Sequence, residues 1–215
     1  MPAFKMGFQK LQGTVCVTGA GGFLGSWVVH LLLSKNYLVR GTVRDPLDEK
    51  YAHLNQLPNA SSNLKLVKAD LLDYPSLFSA IQGCSGVFHV ASPLPSSPVD
   101  LIEPAVTGTL NVLKACLEAK VERVVVVSSG AALMMNPSWP DTRAMDESCW
   151  SDVEHCRAIE VWLLLLSYDV AEALVLVYEK PEAQGRYICT SHSVHVKDIV
   201  DILKDEYPSY NYPKK

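Results

Sequence analysis

Thr18-Gly19-Ala20-Gly21-Gly22-Phe23-Leu24-Gly25 follows directly from Thr14-Val15-Cys16-Val17-Thr18, a short apolar run rich in β-branched residues. It leads into a stretch in which Leu24, Trp27, Val28, Leu31 and Leu32 recur at i, i+3, i+4, i+7 and i+8. The first run has the pattern of a buried parallel strand, and the second predicts a helix over 23–34. A dinucleotide pyrophosphate asks for this order of elements, because it needs backbone N–H groups and a helix N-terminus aimed at its charge. A β-carbon at the closest positions would obstruct the approach. Gly19, Gly22 and Gly25 meet that need, with Phe23 and Leu24 opening the helix beside them. A glycine triplet is weak evidence alone; set between a strand and a helix it predicts a cofactor site.

Outward from the turn the alternation repeats. Leu38 to Val43 reads as a second strand, Leu64 to Lys68 as a third, Gly86 to Val90 as a fourth and Arg123 to Val127 as a fifth. Helical stretches separate most of them, the clearest carrying Val106, Leu110, Leu113 and Leu117 on one face. This spacing implies right-handed βαβ units, and hence an α/β fold of Rossmann type: a doubly wound parallel sheet. After Ser129 the rhythm breaks. Asn136 to Asp152 reads as a long loop, Ala158 to Glu179 as one mostly apolar helix, Gly185 to Cys189 as a short strand, and Val196 to Tyr207 as a final amphipathic helix.

The end of the second strand bears on the choice of dinucleotide. An acidic residue there would bind a ribose 2′-hydroxyl, but this strand ends in Thr42-Val43-Arg44, and a guanidinium suits a 2′-phosphate. NADP is therefore expected over NAD. Arg40 and Lys50 are candidates to assist, with solvated surface charge as the plain alternative, and Asp45 would act against the preference. Asp70 and Leu71 come just after the third strand, where the adenine would lie; a helix or turn cap is the other reading of Asp70. The small residue Ala91, past the fourth strand, would let the cofactor approach closely. His89 before it reads as a packed core histidine rather than a catalyst.

Composition excludes several classes. The net charge of −4, from 19 basic and 23 acidic residues without a long run of either sign, argues against nucleic acid as a partner. The longest apolar run, Val161 to Leu166, is too short to span a bilayer, so no membrane is expected. Six scattered cysteines without a CxxC pair read as free thiols in a reducing compartment, and no secretory signal opens the chain, so a cytoplasmic protein is expected. Cys149, His155 and Cys156 lie close in sequence but lack a fourth ligand, and no metal is expected.

Several stretches together resemble the extended short-chain dehydrogenase/reductase family, and within it the plant cinnamoyl-CoA reductase and dihydroflavonol reductase group. They are Val15 to Phe23, Gly41 to Pro46, Lys68 to Leu71, Gly86 to Pro93 and Asp146 to Ser151. The resemblance implies NADPH-dependent reduction of a carbonyl or CoA thioester of a small phenylpropanoid-like substrate, by a serine, a tyrosine proton donor and a lysine one helical turn beyond it. Ser129 matches the serine, with Ser128 its neighbour. The Tyr-x-x-x-Lys that should follow Trp162 is missing. A reading shifted to Tyr168 puts Glu172 in the lysine's place, where a carboxylate would raise the tyrosine pKa instead of lowering it. Tyr210 and Lys214 have the spacing, but Pro213 breaks any helix that would align them.

Asp169 to Leu174, Tyr178 to Pro181 and Gly185 to Cys189 look like a later, substrate-side part of the same family. The resemblance thus divides the chain into an NADP-binding Rossmann domain at 1–162 and a remnant of the substrate-side region at 163–215. It implies an internal truncation, a sheet incomplete at its C-terminal side, and uncovered apolar faces. Two functions follow: an NADPH-dependent reductase, impaired by loss of the tyrosine and lysine, or a catalytically silent protein that binds the dinucleotide or a partner.

Overall fold

The computed structural model of the chain describes residues 12–92, 102–140, 142–159, 168–189, 196–210 and 212. Strand β1 (Thr14–Thr18) is followed by helix α1 (Phe23–Ser34) and strand β2 (Leu38–Val43). The short helices α2 (Ala52–Asn55) and α3 (Ala60–Asn63) precede β3 (Leu64–Lys68), and α4 (Tyr74–Ile81) leads to β4 (Gly86–His89). Helix α5 (Ile102–Glu118) crosses to β5 (Arg123–Val126); α6 (Ala131–Met134), α7 (Val153–Ile159), α8 (Tyr168–Glu179) and α9 (Val196–Glu206) complete the described elements.

The five strands form one sheet in the order β3-β2-β1-β4-β5, with every pair parallel. The chain winds from β1 outward through β2 to β3, then crosses to β4 on the other side. The carboxyl ends of β1 and β4 are therefore neighbours from which the following segments diverge, the place where open α/β sheets form a crevice. The Rossmann-type doubly wound sheet expected from the sequence is the observed fold.

Two cores cover the two faces. On one, Val28, Val29, Leu32 and Leu33 of α1 pack against Val15, Val17 and Val39, together with Ala171 and Val175 of α8. On the other, Leu77, Ala80 and Ile81 of α4 and Val112, Ala115 and Cys116 of α5 enclose Cys16 and Val87. Burial raises the thiol pKa values of Cys16, Cys84 and Cys116, the last to about 11, so these three behave as small core hydrophobes.

Helix α8 is seated by two devices. Tyr178 lies where a side chain at Gly86 would stand, its ring 2.2 Å from a β-carbon built there and 5.0 Å from the Phe88 ring. The Arg123 guanidinium, at the start of β5, donates to the carbonyls of Val177, Lys180, Pro181 and Ala183 at 2.8 to 3.1 Å and so closes the C-terminus of α8.

The sequence and the structure part in three places. The strand expected at 185–189 is absent: Gly185 turns the chain at φ +83°, and 186–189 join no ladder among the described residues. The helix expected over 158–179 is represented by α7 and α8, while 160–167 lie outside the described residues. The face of α5 bearing Val106, Leu110, Leu113 and Leu117 points to solvent, whereas Gly108, Val112, Ala115 and Cys116 face inward. The inward residues are smaller, which lets the helix approach closely: a β-carbon on Gly108 would lie 2.9 Å from Leu71.

Candidate dinucleotide site

The turn after β1 is held from three sides. Gly19 adopts φ +67°, a left-handed conformation that favours glycine, and a β-carbon there would lie 2.8 Å from the Ala91 Cα. Gly25 is needed for a different reason: a β-carbon on it would meet the Gly19 carbonyl oxygen at 2.2 Å. The Ala20 N–H donates to the Thr42 carbonyl at 3.1 Å, and the Gly19 N–H to the Thr42 hydroxyl at 3.3 Å, tying the turn to β2. Helix α1 then starts at Phe23 with no side-chain cap and no acidic residue in its first turn. Its first N–H groups and its dipole face the crevice at the sheet's carboxyl edge, an arrangement suited to an anion.

Sequence reasoning missed a buried polar strap beneath this turn. The Thr18 hydroxyl accepts from the N–H groups of Val90 and Ala91, both at 3.1 Å. Its own proton goes to His89 Nδ1 at 2.9 Å, since both acceptor positions are taken, and His89 Nε2 then donates to the Thr109 hydroxyl at 3.2 Å. His89 is 3% exposed, and burial pushes its pKa down to about 4, so the ring is neutral near pH 7. One imidazole thus links β1, the end of β4 and α5. This is the packed histidine expected from the sequence, and the polar residues at 18 and 109 were its only signal.

Tyr51 was also missed. Its ring covers Gly21, where a β-carbon would lie 2.1 Å from Cε1, so Gly21 is small for an aromatic neighbour in the same chain. Nothing in the spacing of the two residues announces the contact.

The other expected cofactor residues line the carboxyl ends of the strands. Arg44 is exposed just beyond β2, with no hydrogen bond or ion pair among the described residues. Lys50 is paired with Asp48 at 2.6 Å and lies 4.8 Å from the Tyr51 ring centroid. The pair shifts both groups: the Lys50 ammonium lowers the Asp48 pKa, and Asp48 raises that of Lys50. Asp45, the residue that could oppose a 2′-phosphate, accepts the Leu47 N–H at 3.1 Å. Asp70 stands just past β3, and its carboxylate accepts from the Leu72 N–H at 2.9 Å, the turn-capping geometry weighed above. The Leu71 carbonyl accepts from the Asn111 side chain at 2.9 Å, fixing this wall to α5. Arg40 is not among these groups, because its guanidinium donates to the Ala80 and Gln82 carbonyls.

Ser129 lies beyond β5, on the same carboxyl side of the sheet as the glycine turn. No tyrosine and lysine one helical turn apart accompany it among the described residues: α8 begins at Tyr168 with Glu172 four positions on, and Tyr210 lies past the end of α9. The loop of 143–151 beside Ser129 is ordered by polar contacts. Asp146 accepts from Ser148 and from Arg143, which hold its carboxyl down at about 2. Among the described residues no group of three or more His, Cys, Asp or Glu side chains gathers as metal ligands, and no helix is long and apolar enough to cross a membrane.

Comparison with known proteins adds the lineage. Residues 15–149 match the NAD dependent epimerase/dehydratase family. The chain is 40% identical to cinnamoyl-CoA reductase 1 of Petunia hybrida over 264 aligned positions, covering 94% of this chain and 79% of that enzyme. Those 264 positions take in 94% of 215 residues, about 202, so about 62 of them carry residues of the petunia enzyme alone. Vestitone reductase from alfalfa superposes with a TM-score of 0.75 at 30% identity, covering 93% of this chain and 84% of that one. A yeast methylglyoxal/isovaleraldehyde reductase, solved in complex with NADPH, aligns with a TM-score of 0.56 at 28% identity over 67% of this chain and 46% of its own.

Proposed function

Because the chain belongs to the NAD dependent epimerase/dehydratase family, we propose that it binds NADPH as its cinnamoyl-CoA and flavonoid reductase relatives' kin, and that it reduces carbonyl substrates poorly or not at all. The observation that carries the first half is the glycine turn: an uncapped helix N-terminus, glycines at the sterically closed positions, and an unpaired Arg44 at the end of β2. The turn and α1 take the pyrophosphate, Arg44 takes the 2′-phosphate, and Lys50 joins it once Asp48 releases the ammonium. Asp70 and Leu71 border the adenine, while Ala91 stands where the cofactor passes close to the sheet. The NADPH-bound yeast relative supports the choice of dinucleotide.

When bound, NADPH supplies a hydride to a carbonyl carbon. Charge then builds on the carbonyl oxygen, and this chain must stabilise it and supply a proton. Ser129 can donate a hydrogen bond to that oxygen. A serine hydroxyl without a phenol and an ammonium beside it is a poor proton donor near pH 7. Losing general acid catalysis of this kind costs about 10²–10⁴ in rate. The alignment deficit of about 62 positions supports the reading that the segment bearing the tyrosine and lysine is missing.

The test is one titration and one assay. NADPH fluorescence should change saturably on addition of the protein, and Arg44→Ala should weaken NADPH while leaving NADH unaffected. Cinnamoyl thioesters or the matching aldehydes should then consume the bound NADPH at least about 10² times more slowly than a complete reductase does. Failure to bind NADPH overturns the whole reading; full turnover overturns the impairment. The phenylpropanoid substrate rests on the same kinship, and the cytoplasmic location proposed here rests on the free cysteines.

A further inference from the structure

We propose that Asp48 sets how strongly the site prefers NADPH over NADH, by holding on its own carboxylate the Lys50 ammonium that the 2′-phosphate would take. The proposal rests on the dinucleotide reading above and adds to it a residue that works against the ligand.

Two cations follow β2, and their surroundings differ. Arg44 makes no hydrogen bond or ion pair among the described residues. Lys50 is engaged, its ammonium 2.6 Å from Asp48 Oδ2. The other oxygen of the same carboxylate, Oδ1, accepts the Lys50 backbone N–H at 3.0 Å. One side chain thus caps the turn of 3₁₀ helix at Glu49–Tyr51 and neutralises the cation which that turn carries.

The backbone of this loop is fixed, which leaves the lysine side chain as the part able to move. The Asp48 N–H donates to the Asp45 carbonyl at 3.1 Å, and the Tyr51 N–H to the Asp48 carbonyl at 3.0 Å. His53 Nδ1 donates to the Lys50 carbonyl at 2.8 Å. The Tyr51 ring lies against Gly21, with Cε1 2.1 Å from a β-carbon built there, and so joins the loop to the glycine turn. The Lys50 ammonium lies 4.8 Å from the centroid of that same ring. The cation is therefore stationed close to the turn, and its transfer from carboxylate to phosphate needs side-chain rotation alone.

Charge makes the competition matter. Residues 44–51 carry Arg44 and Lys50 against Asp45, Asp48 and Glu49, a net charge of −1. The loop as a whole does not attract a further phosphate, so discrimination depends on which of its cations are available. Asp45 accepts the Leu47 N–H at 3.1 Å, whereas Asp48 is ion-paired with a cation of the loop. Both partners of that pair stay in contact with water, the Lys50 side chain 59% exposed and that of Asp48 35%, so the pair is weak and separable. Breaking it subtracts from the affinity for NADPH. NADH, with a hydroxyl in place of the 2′-phosphate, has no call on the ammonium.

The experiment is a fluorescence titration of the full chain with NADPH and with NADH, for wild type, Asp48→Asn, Lys50→Met and the double variant. Asp48→Asn keeps the cap, since an asparagine oxygen can accept the same N–H, and removes the competing charge. It should tighten NADPH about two- to fivefold, the range of an exposed ion pair, and improve NADH less. Made in the Lys50→Met background, the same substitution should give no such gain. Circular dichroism melting establishes that each variant is folded; if Asp48→Asn is not, Asp48→Ser, another uncharged cap, takes its place. Equal gains for NADPH and NADH, or a gain undiminished in Lys50→Met, overturn the proposal, because Asp48 would then act as a charge on the whole site. Unchanged NADPH affinity in the folded Asp48 variant overturns it too, and leaves the dinucleotide reading standing. A wild-type chain that does not bind NADPH overturns both.

Discussion

Replacing the three turn glycines one at a time by alanine should separate packing from cofactor contact. In Gly25→Ala the new methyl meets the Gly19 carbonyl oxygen at 2.2 Å, against an ordinary carbon–oxygen contact of about 3.3 Å. The turn or the helix must move by about 1 Å, and overpacking of that size costs about 1–3 kcal/mol. Gly19→Ala carries the left-handed penalty of about 1–2 kcal/mol and also overlaps the Ala91 backbone, at 2.8 Å. Gly22→Ala is different: Gly22 is exposed, has φ −77°, and its β-carbon meets only the Gly19 carbonyl, at 3.3 Å. Its cost is that of a poorer N-cap, about 1 kcal/mol. For a chain of this size 1 kcal/mol corresponds to about 2–4 °C in Tm. Circular dichroism melts should therefore place Gly25→Ala roughly 2–12 °C and Gly19→Ala roughly 4–20 °C below wild type, with Gly22→Ala within about 4 °C. NADPH affinity, read by fluorescence, should fall at least about tenfold in Gly22→Ala despite its intact fold, because the methyl projects where the pyrophosphate must come closest. Wild-type melting of Gly25→Ala would refute the steric argument. Unchanged NADPH binding by Gly22→Ala would refute the placement of the cofactor.

The neutral His89 makes stability depend on pH. Its folded pKa, about 4, lies below the ordinary 6.5, so the unfolded chain takes up the proton first. The stability tied to the neutral ring is complete above about pH 6.5, declines as pH falls, and is gone below about pH 4; the whole shift is worth up to about 3 kcal/mol. Urea midpoints at pH 7 and 4.5 should differ more in wild type than in His89→Gln, and parallel profiles would contradict the assignment. Arg123→Met should lose about 2–3 kcal/mol, since four carbonyls at the end of α8 lose a cationic donor. Arg123→Lys should fall between, keeping the charge without the fork, and equal melting of Met and Lys variants would show that the fork is irrelevant.

Much of this was legible in the sequence because it is local. The five strands and α1 follow from β-branched runs and helical spacing, and Gly19, Gly22 and Gly25 fall where a turn between them must be tight. The strap of Thr18, His89 and Thr109 was not legible, for it joins residues 71 and 20 positions apart that are neighbours only once the sheet has formed. Tyr51 over Gly21 is similar: a loop after β2 returns to the turn after β1. Gly185 to Cys189 has the composition of a strand but starts at a bend, with Gly185 at φ +83°. A strand also needs a partner, and composition alone does not say whether one is there.

Helix α5 shows how an apolar stripe can mislead about direction. Val106, Leu110, Leu113 and Leu117 do share a face, but Val106 is 54% and Leu117 82% exposed, while Gly108, Val112, Ala115 and Cys116 lie on the sheet. Periodicity locates a stripe; it does not say which of two stripes faces inward. The smaller one does, since Gly108 and the Asn111 bond to Leu71 demand close approach. A helix apolar on both sides is built to be covered on both sides. In the alignment with the petunia reductase about 62 positions carry no residue of this chain. The half of the fold that builds the dinucleotide turn needs none of those positions: β1, α1, β2 and β4 close around it from the residues at hand. On the function proposed above, cofactor binding outlasts catalysis in this chain because the two draw on different stretches of sequence.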